Sequence, residues 1–372
     1  MLTKFEVTNF KSFDKKITLD FKNTNGYQFN AECVENNIVK KALVYGHNGI
    51  GKSNLGLAIF DIVSHLTDKN HRPEEYKNYL NADSNTPDFA TFAYEFEFPE
   101  GKVRYEYTKT NIETLLSEEI LINDSLYAKI DRSQTPIATI QAPGAENLLT
   151  DLGDSIISLL SYIKNNSVLE KNNKHNICFK KLMEFVNEML FFRSVQFEIY
   201  IGFKQGEFSV GPDIIKRENL KDYESFLNEA GINCKLTTIA HKETNSIAFK
   251  FKEKTIPYSE IMSQGTKALT LFYFWFQTLK DDKAPKFIFI DEFDAFYHHS
   301  LSELIVKKLK EVDAQVILTS HNTSIITNEL LRPDCYFILD PEGIQSLAHC
   351  TSKDLREAHN IEKMYRAGAF GG

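Results

Sequence analysis

Gly46-His47-Asn48-Gly49-Ile50-Gly51-Lys52-Ser53 fits the spacing GxxxxGK[ST] in full. Each fixed position has a chemical reason. The glycines let the backbone turn tightly, so that successive N–H groups converge on phosphate oxygens. Lys52 reaches the β- and γ-phosphates as a point charge, and Ser53 offers a hydroxyl to Mg2+. A helix starting near Lys52 adds the positive end of its dipole. An accidental glycine-rich turn would need no particular neighbours. Here Ala42 to Tyr45 reads as a short buried strand before the loop, and Leu55, Ala58, Ile59, Ile62, Val63 and Leu66 keep one helical face after it.

A second group of residues completes such a site. Phe287-Ile288-Phe289-Ile290 runs directly into Asp291-Glu292. An apolar strand ending in two acids implies that its end faces a polar site. Asp291 would hold the water shell of Mg2+ and Glu292 would polarise an attacking water; two solvated acids at a strand end are the alternative. Gln315 to Ser320 is another apolar strand, and it ends at His321. With a helix over 296–310 between them, the two strands form one βαβ unit, so Asp291 and His321 emerge at the same sheet edge. Ligands bind at that edge in open α/β sheets. His321 is placed to hydrogen-bond a γ-phosphate, or else caps a helix or sits in the core.

The elements that must position these residues can be read from periodicity. Two N-terminal strands are predicted at Lys4–Asn9 and Lys16–Phe21. Period-two alternation from Phe89 to Ile130, broken at Pro99-Glu100-Gly101, predicts an antiparallel meander. Asp151 to Phe192 reads as mostly helical, and 194–257 as mixed. Helix, strand, helix, strand then come at about 263–280, 286–290, 296–310 and 315–319, which implies parallel strands joined by crossover helices. Two short strands are expected around Tyr336 and Ile344.

Composition narrows the class. The chain has 372 residues, 42% apolar and 25% charged, within the globular range. Its 43 basic and 51 acidic side chains give −8, which argues against binding nucleic acid by bulk charge. A local patch is present: Lys164, Lys171, Lys174, Lys180 and Lys181 stand against Glu170. It could meet DNA or an acidic partner, or be a solvated helical insert. The longest apolar run, Ala268 to Leu279, is too short to span a bilayer. Lys4, Glu6 and Lys11 rule out a signal peptide. Five scattered cysteines imply free thiols in a reducing cytoplasm. Lys307, Lys308 and Lys310 suit the last turn of their helix. A metal pair at His298 and His299 is disfavoured because adjacent helical residues point apart. Leu271 to Phe276 is read as a buried helix.

In this order and company, the motifs resemble the ABC-type ATPase heads, a group that includes the structural-maintenance-of-chromosomes proteins, RecF-like repair ATPases and OLD-like defence ATPases. Val7 to Phe13 resembles the N-terminal strand-turn of these heads, in which the residue matching Lys11 lies near the nucleotide. Gly46 to Ser53 matches the Walker A loop. Met262 to Leu269 is similar to the signature motif, with Ser263 and Gly265 at its serine and glycine. Phe287 to Glu292 matches Walker B, Asp294 falls in the D-loop, and His321 is at the switch histidine. Ser263 would cap the helix that begins there, as an anion site facing the γ-phosphate on a second subunit. For the Q-loop, Glu118 or Glu119 is the candidate.

The resemblance covers about 1–66 and 258–330. Residues 53–262 carry no sustained heptads, which argues against chromosome-scaffold proteins proper. "DEFDAFYHHSLS" and the stretch from Leu355 to Gly372 are most similar to stand-alone ATPases of phage-defence and abortive-infection systems, of the AbiL-like and PARIS-type kinds. The stretch after His321 is too short for the TOPRIM nuclease of OLD proteins, so a nuclease or toxin is expected on a separate chain.

The resemblance therefore implies an α/β fold: an ABC-type ATPase head with a mostly parallel sheet, an antiparallel β lobe and a helical insert. Residues 1–150 and 258–372 would be the two halves of the head, and 151–257 the insert. ATP and Mg2+ are the implied cofactors. Nucleotide would meet Lys11, Gly46, Asn48, Gly49, Gly51, Lys52, Ser53, Asn54, Ser263 and Gly265. Ser53 and Asp291 would serve the metal, and Glu292, His321 and Lys52 the chemistry. The implied function is an ATP-hydrolysing switch of a defence system, cytoplasmic, working as a homodimer or larger homo-oligomer on a separate effector, with no membrane partner. A RecF-like ATPase that clamps DNA through Lys164–Lys181 is the alternative.

Overall fold

The computed structural model describes residues 1–69, 71–82, 87–194, 200–202, 210–241, 244–281 and 284–370. Two seven-stranded sheets dominate. The central sheet runs Tyr200–Gly202, Met189–Arg193, Phe287–Asp291, Gln315–Ser320, Lys41–Tyr45, Tyr336–Asp340, Gly343–Ser346. Its five inner strands are parallel, and each edge strand is antiparallel to its neighbour. The strands Lys41–Tyr45, Phe287–Asp291 and Gln315–Ser320 are buried at every residue. That explains their unbroken apolar sequences: a parallel sheet is covered on both faces.

The second sheet is antiparallel throughout, in the order Thr139–Ile140, Ser125–Asp131, Leu115–Ile122, Gly101–Lys109, Ala90–Phe98, Leu2–Thr8, Ile17–Asp20. The predicted meander is thus present, and the two N-terminal strands extend it. Its strands alternate buried and exposed positions, as in Gly101–Lys109, because one face packs on the core and the other meets water. A three-stranded sheet, Leu236–His241, Thr244–Lys250 and Thr255–Pro257, lies in the middle segment.

The helix after the loop is sandwiched between the two large sheets. On one side, a Cβ at Gly56 would come within 2.6 Å of Phe289 and 2.7 Å of Phe191. On the other, Tyr94 of the antiparallel sheet donates to the Ala58 carbonyl at 3.0 Å. Helix Lys52–Phe60 is therefore buried all round from Leu55 onward, with no solvent face, and a break at Asp61-Ile62 separates it from Val63–Leu66. The sequence implies one continuous amphipathic helix here. The difference arises because Asp61 turns inward to meet Tyr79, Tyr107 and Lys109.

The segment read as mostly helical holds helices Leu159–Asn166 and Lys174–Asn187, but Met189–Arg193 is a strand beside Phe287–Asp291. Helix Gln264–Thr278 is buried along Ala268–Phe276, with Trp275 stacked on Phe192 at 5.8 Å between ring centres. All five cysteines are free thiols. Among the described residues no helix is long and apolar enough to cross a membrane.

Candidate functional site

Strand Lys41–Tyr45 delivers the loop 46–51 to the sheet edge, and Gly51 opens the helix with φ of 109°. A side chain there would be strained, and its Cβ would lie 2.5 Å from Ser12 Oγ. The N-terminal turn of Phe10 to Phe13 therefore presses directly on the loop. Lys52 is buried, and its ammonium donates to the carbonyls of Gly46 at 2.6 Å and His47 at 3.0 Å. Burial lowers its pKa, while Asp291, Glu292 and Asp294 act to raise it. Acids from the second half of the candidate site, far away in sequence, thus act on the Lys52 ammonium. Asn48 and Gly49 are exposed at the loop tip, and Ser53 is half-buried in the first helical turn.

Lys11 sits in the left-handed region, φ 48°, and its amide and ammonium donate to the carbonyls of Tyr79 and Lys77. Asn54 donates to Ser12 Oγ at 2.9 Å. Both residues spend these bonds on fastening the N-terminal turn.

The carboxylates are positioned by strand register. Arg193 pairs with Asp291, Ile290 with Leu318, and Tyr45 with Ser320, so four strands end at one edge. Asp291 is 1% exposed. Its Oδ1 accepts from Thr319 Oγ1 at 2.7 Å, and its Oδ2 from Arg193 Nε at 3.2 Å. Thr319 Oγ1 in turn accepts from the Glu292 amide at 2.8 Å. One hydroxyl thus fixes both acids. Glu292 has φ of 49°, a strained value for a residue with a side chain, of the kind that collects at functional sites.

Asp294 is buried and accepts from Ser320 Oγ at 2.8 Å, while its Oδ1 has no hydrogen-bond partner among the described residues. Burial raises its pKa, against the opposing pull of Ser320, His321 and Asn322. His321 stands exposed just beyond the strand. Arg193 and Thr319 are absent from the sequence-derived site. Thr319 was visible in the same strand as His321. Arg193 ends an apolar run, Met189 to Phe192, in the way Asp291 ends its own, and that likeness was the available signal.

Ser263 caps helix Gln264–Thr278, accepting from the Thr266 amide at 3.1 Å, and is exposed. The next turn lies close to the D-loop: a Cβ on Gly265 would sit 3.3 Å from the Phe296 carbonyl. The start of helix Gln264–Thr278 and the turn after Asp294 are thus in contact.

One expectation is corrected. Glu118 is no Q-loop residue. It is 1% exposed inside the antiparallel sheet, where it accepts from Tyr105, Ser158 and the Leu159 amide and pairs with Arg132. Glu119, its neighbour on the same strand, pairs with Glu106 and Lys129 positions of the adjoining strands, away from the parallel sheet. In the lysine patch, Lys181 is ion-paired with Glu100 at 2.7 Å, which lowers the charge free to meet a partner. His298 and His299 bond Ser300 and Ser324, and no group of three metal-capable side chains occurs among the described residues.

The groups present suit ATP with Mg2+: a first-turn serine and a buried carboxylate aligned by a threonine offer oxygens, and a lysine folded onto the loop carbonyls offers a positive charge for phosphate. Hard oxygen ligands of this kind, few in number and shared with phosphates, are what Mg2+ takes.

A family model described as "AAA domain, putative AbiEii toxin, Type IV TA system" matches residues 41–327. No curated protein sequence matches the chain. Among solved structures, it is similar to the Smc head domain with a coiled coil and joint from Pyrococcus yayanosii, at 13% identity and a TM-score of 0.50, covering 98% of this chain and 99% of that one. It is also similar to the SMC head domain from Thermotoga maritima, at 14% identity and TM-score 0.43, covering 93% and 98%. The recombination mediator RecF with ATP gives 16% identity and TM-score 0.43, covering 93% and 97%. The likeness to the Pyrococcus head is one of fold, that of an ABC-type ATPase head.

Proposed function

We propose that this chain, which belongs to the AAA domain family whose model spans residues 41–327, is an ATP-binding and hydrolysing switch that controls its own assembly and a separate effector chain. The observation that carries this reading is the strand register that brings the ends of Lys41–Tyr45, Phe287–Asp291 and Gln315–Ser320 to one sheet edge, with Thr319 Oγ1 bonded to Asp291 Oδ1 and to the Glu292 amide. In this reading the loop amides and Lys52 bind the phosphates, exchanging the carbonyls of Gly46 and His47 for phosphate oxygens. Ser53 and Asp291 hold Mg2+, which would supply charge neutralisation at the β- and γ-phosphates. Glu292 takes the proton of the attacking water and His321 hydrogen-bonds the γ-phosphate. Ser263 and Gly265 of a second copy close the site, so ATP favours a dimer or larger homo-oligomer and hydrolysis releases it.

The biological setting we favour is cytoplasmic anti-phage defence, with a nuclease or toxin as the effector. Residues 1–150 and 258–372 supply most of the nucleotide head, Met189–Arg193 and Tyr200–Gly202 complete its central sheet, and the rest of 151–257 is the insert. The test is to compare wild type with Glu292→Gln. The variant is expected to bind ATP, to associate and to stall; normal turnover removes Glu292 from the mechanism. Intact ATP-dependent association and hydrolysis in Ser263→Arg would sink the composite site.

The lysines of 164–181 favour a second reading, a DNA-clamping ATPase of the RecF kind. Several-fold stimulation of ATPase rate by double-stranded DNA at fixed salt, lost when those lysines are replaced, would select it.

A further inference from the structure

We infer that Arg193 is an internal counter-ion that competes with the divalent metal for Asp291, and that Glu75 receives its guanidinium when the metal binds. The inference rests on the reading of Asp291 as a metal-site residue. Asp291 is almost wholly buried and both its oxygens are engaged, Oδ1 by Thr319 and Oδ2 by Arg193. A buried carboxylate needs such partners, because an unpaired buried charge is costly. Arg193 provides one that cannot be titrated away. The bond to Oδ2 is long at 3.2 Å, whereas Nη1 of the same guanidinium lies 2.8 Å from Glu75 Oε2.

The planar guanidinium thus already spans two carboxylates, with the shorter contact at the one outside the parallel sheet. A dication at Asp291 repels the guanidinium at short range in a poorly screened site. Release needs no exit to solvent, because Glu75 is in place. Arg193 is 14% exposed and Glu75 18%, so the exchange takes place largely under cover.

Glu75 belongs to the short segment Pro73–Tyr76, whose Tyr76 donates to the Leu57 carbonyl of the loop helix. A few residues on, the Tyr79 carbonyl accepts the Lys11 amide. The guanidinium therefore ties the metal carboxylate to the segment that carries both the loop helix and the N-terminal turn. Arg193 is in this sense a positioning residue.

The experiment is a Mn2+ titration followed by electron paramagnetic resonance, on the full chain with a saturating non-hydrolysable ATP analogue. Arg193→Gln is expected to bind Mn2+ at least fivefold more tightly than wild type, since the competing cation is gone. Glu75→Gln is expected to bind it several-fold more weakly, since the guanidinium has lost its shorter carboxylate contact. In the double variant the Glu75 effect should vanish. A merely structural role would weaken binding in both single variants. Unchanged or weaker binding in Arg193→Gln overturns the inference. If Arg193→Gln does not fold, Arg193→Met takes its place with the same expected tightening, and wild-type affinity in Glu75→Gln also overturns it. Wild-type protein that takes no Mn2+ with nucleotide would instead overturn the metal reading of Asp291, and the inference with it.

Discussion

The parallel sheet edge and the antiparallel lobe both bury charges, and they treat them differently. In the lobe, Asp61 and Lys109 form an ion pair at 2.9 Å with neither side chain exposed. Asp61 also accepts from Tyr79 and Tyr107, while Lys109 donates to Ser64 and the Ile112 carbonyl. Glu118 has partners on both oxygens. At the sheet edge Asp291 has partners on both oxygens, but its two acidic neighbours are incompletely paired or strained. Asp294 keeps an unpartnered oxygen, and Glu292 holds a left-handed backbone. Acids whose oxygens are all paired fix a fold, whereas an unsatisfied carboxylate oxygen or a strained backbone is of the kind that persists where something else is to be bound or moved. The contrast sets Glu292 and Asp294 apart from Asp61 and Glu118, acids that look alike in sequence.

The largest effect should come from the sheet edge. Glu292→Gln is expected to lower ATP turnover by about 10²–10⁴-fold, the usual worth of a general base, with little change in the denaturation midpoint. A large loss of stability instead would place Glu292 with the structural acids. Lys109→Met should do the reverse. Leaving Asp61 buried without its cation should cost about 3–5 kcal/mol in chemical denaturation, and wild-type stability would erase the contrast from the lobe side.

Lys41 sharpens the comparison, because it lies in the parallel sheet but at the far end of the strand from the loop. Its ammonium donates to the carbonyls of Val312 at 2.6 Å and Ala314 at 2.8 Å, and burial pushes its pKa down to about 7. The unfolded chain, with an ordinary lysine near 10.4, binds more protons between those values. Stability should therefore rise with pH from about 7 towards 10, relative to Lys41→Met, by up to about 1.4 kcal/mol per pH unit. A flat difference between the two proteins over that window would show that burial leaves this lysine's titration untouched. The smallest effect is at Ser263. Ser263→Ala should cost about 1 kcal/mol of stability as a lost helix cap. If that is its whole effect, and ATP-dependent association survives, Ser263 is structural as well.

How much the sequence made legible depends on the range of each signal. Gly46 to Ser53 and Phe287 to Glu292 are local patterns whose geometry is set by neighbouring residues, and the parallel strands announce themselves by unbroken apolar runs. Arg193 was hidden because the helical spacing of Phe179 to Val186 runs on without punctuation into Met189 to Phe192. Only the neighbouring strand Phe287–Asp291 decides that these residues are extended. The break at Asp61 was hidden for the same reason: Ile62, Val63 and Leu66 continue the apolar period past a residue that a distant lysine and two tyrosines pull inward. Glu118 could stand as a Q-loop candidate because its partners Ser158 and Arg132 come from other elements, which the local sequence does not show. The sequence-level signals failed where a charge is neutralised at long range.

The place of Lys41–Tyr45 in its sheet has a consequence for biosynthesis. This strand lies between Gln315–Ser320 and Tyr336–Asp340, both made long after it. At a translation rate of about 5–20 residues per second, the wait is on the order of 15–60 s. The antiparallel sheet pairs mostly consecutive segments and can form meanwhile. The nascent chain would then carry a completed lobe with its phosphate loop unseated, and nucleotide binding becomes a late signal that the chain has been made through Asp340. Ribosome-bound chains stalled before Tyr336 should fail to retain ATP.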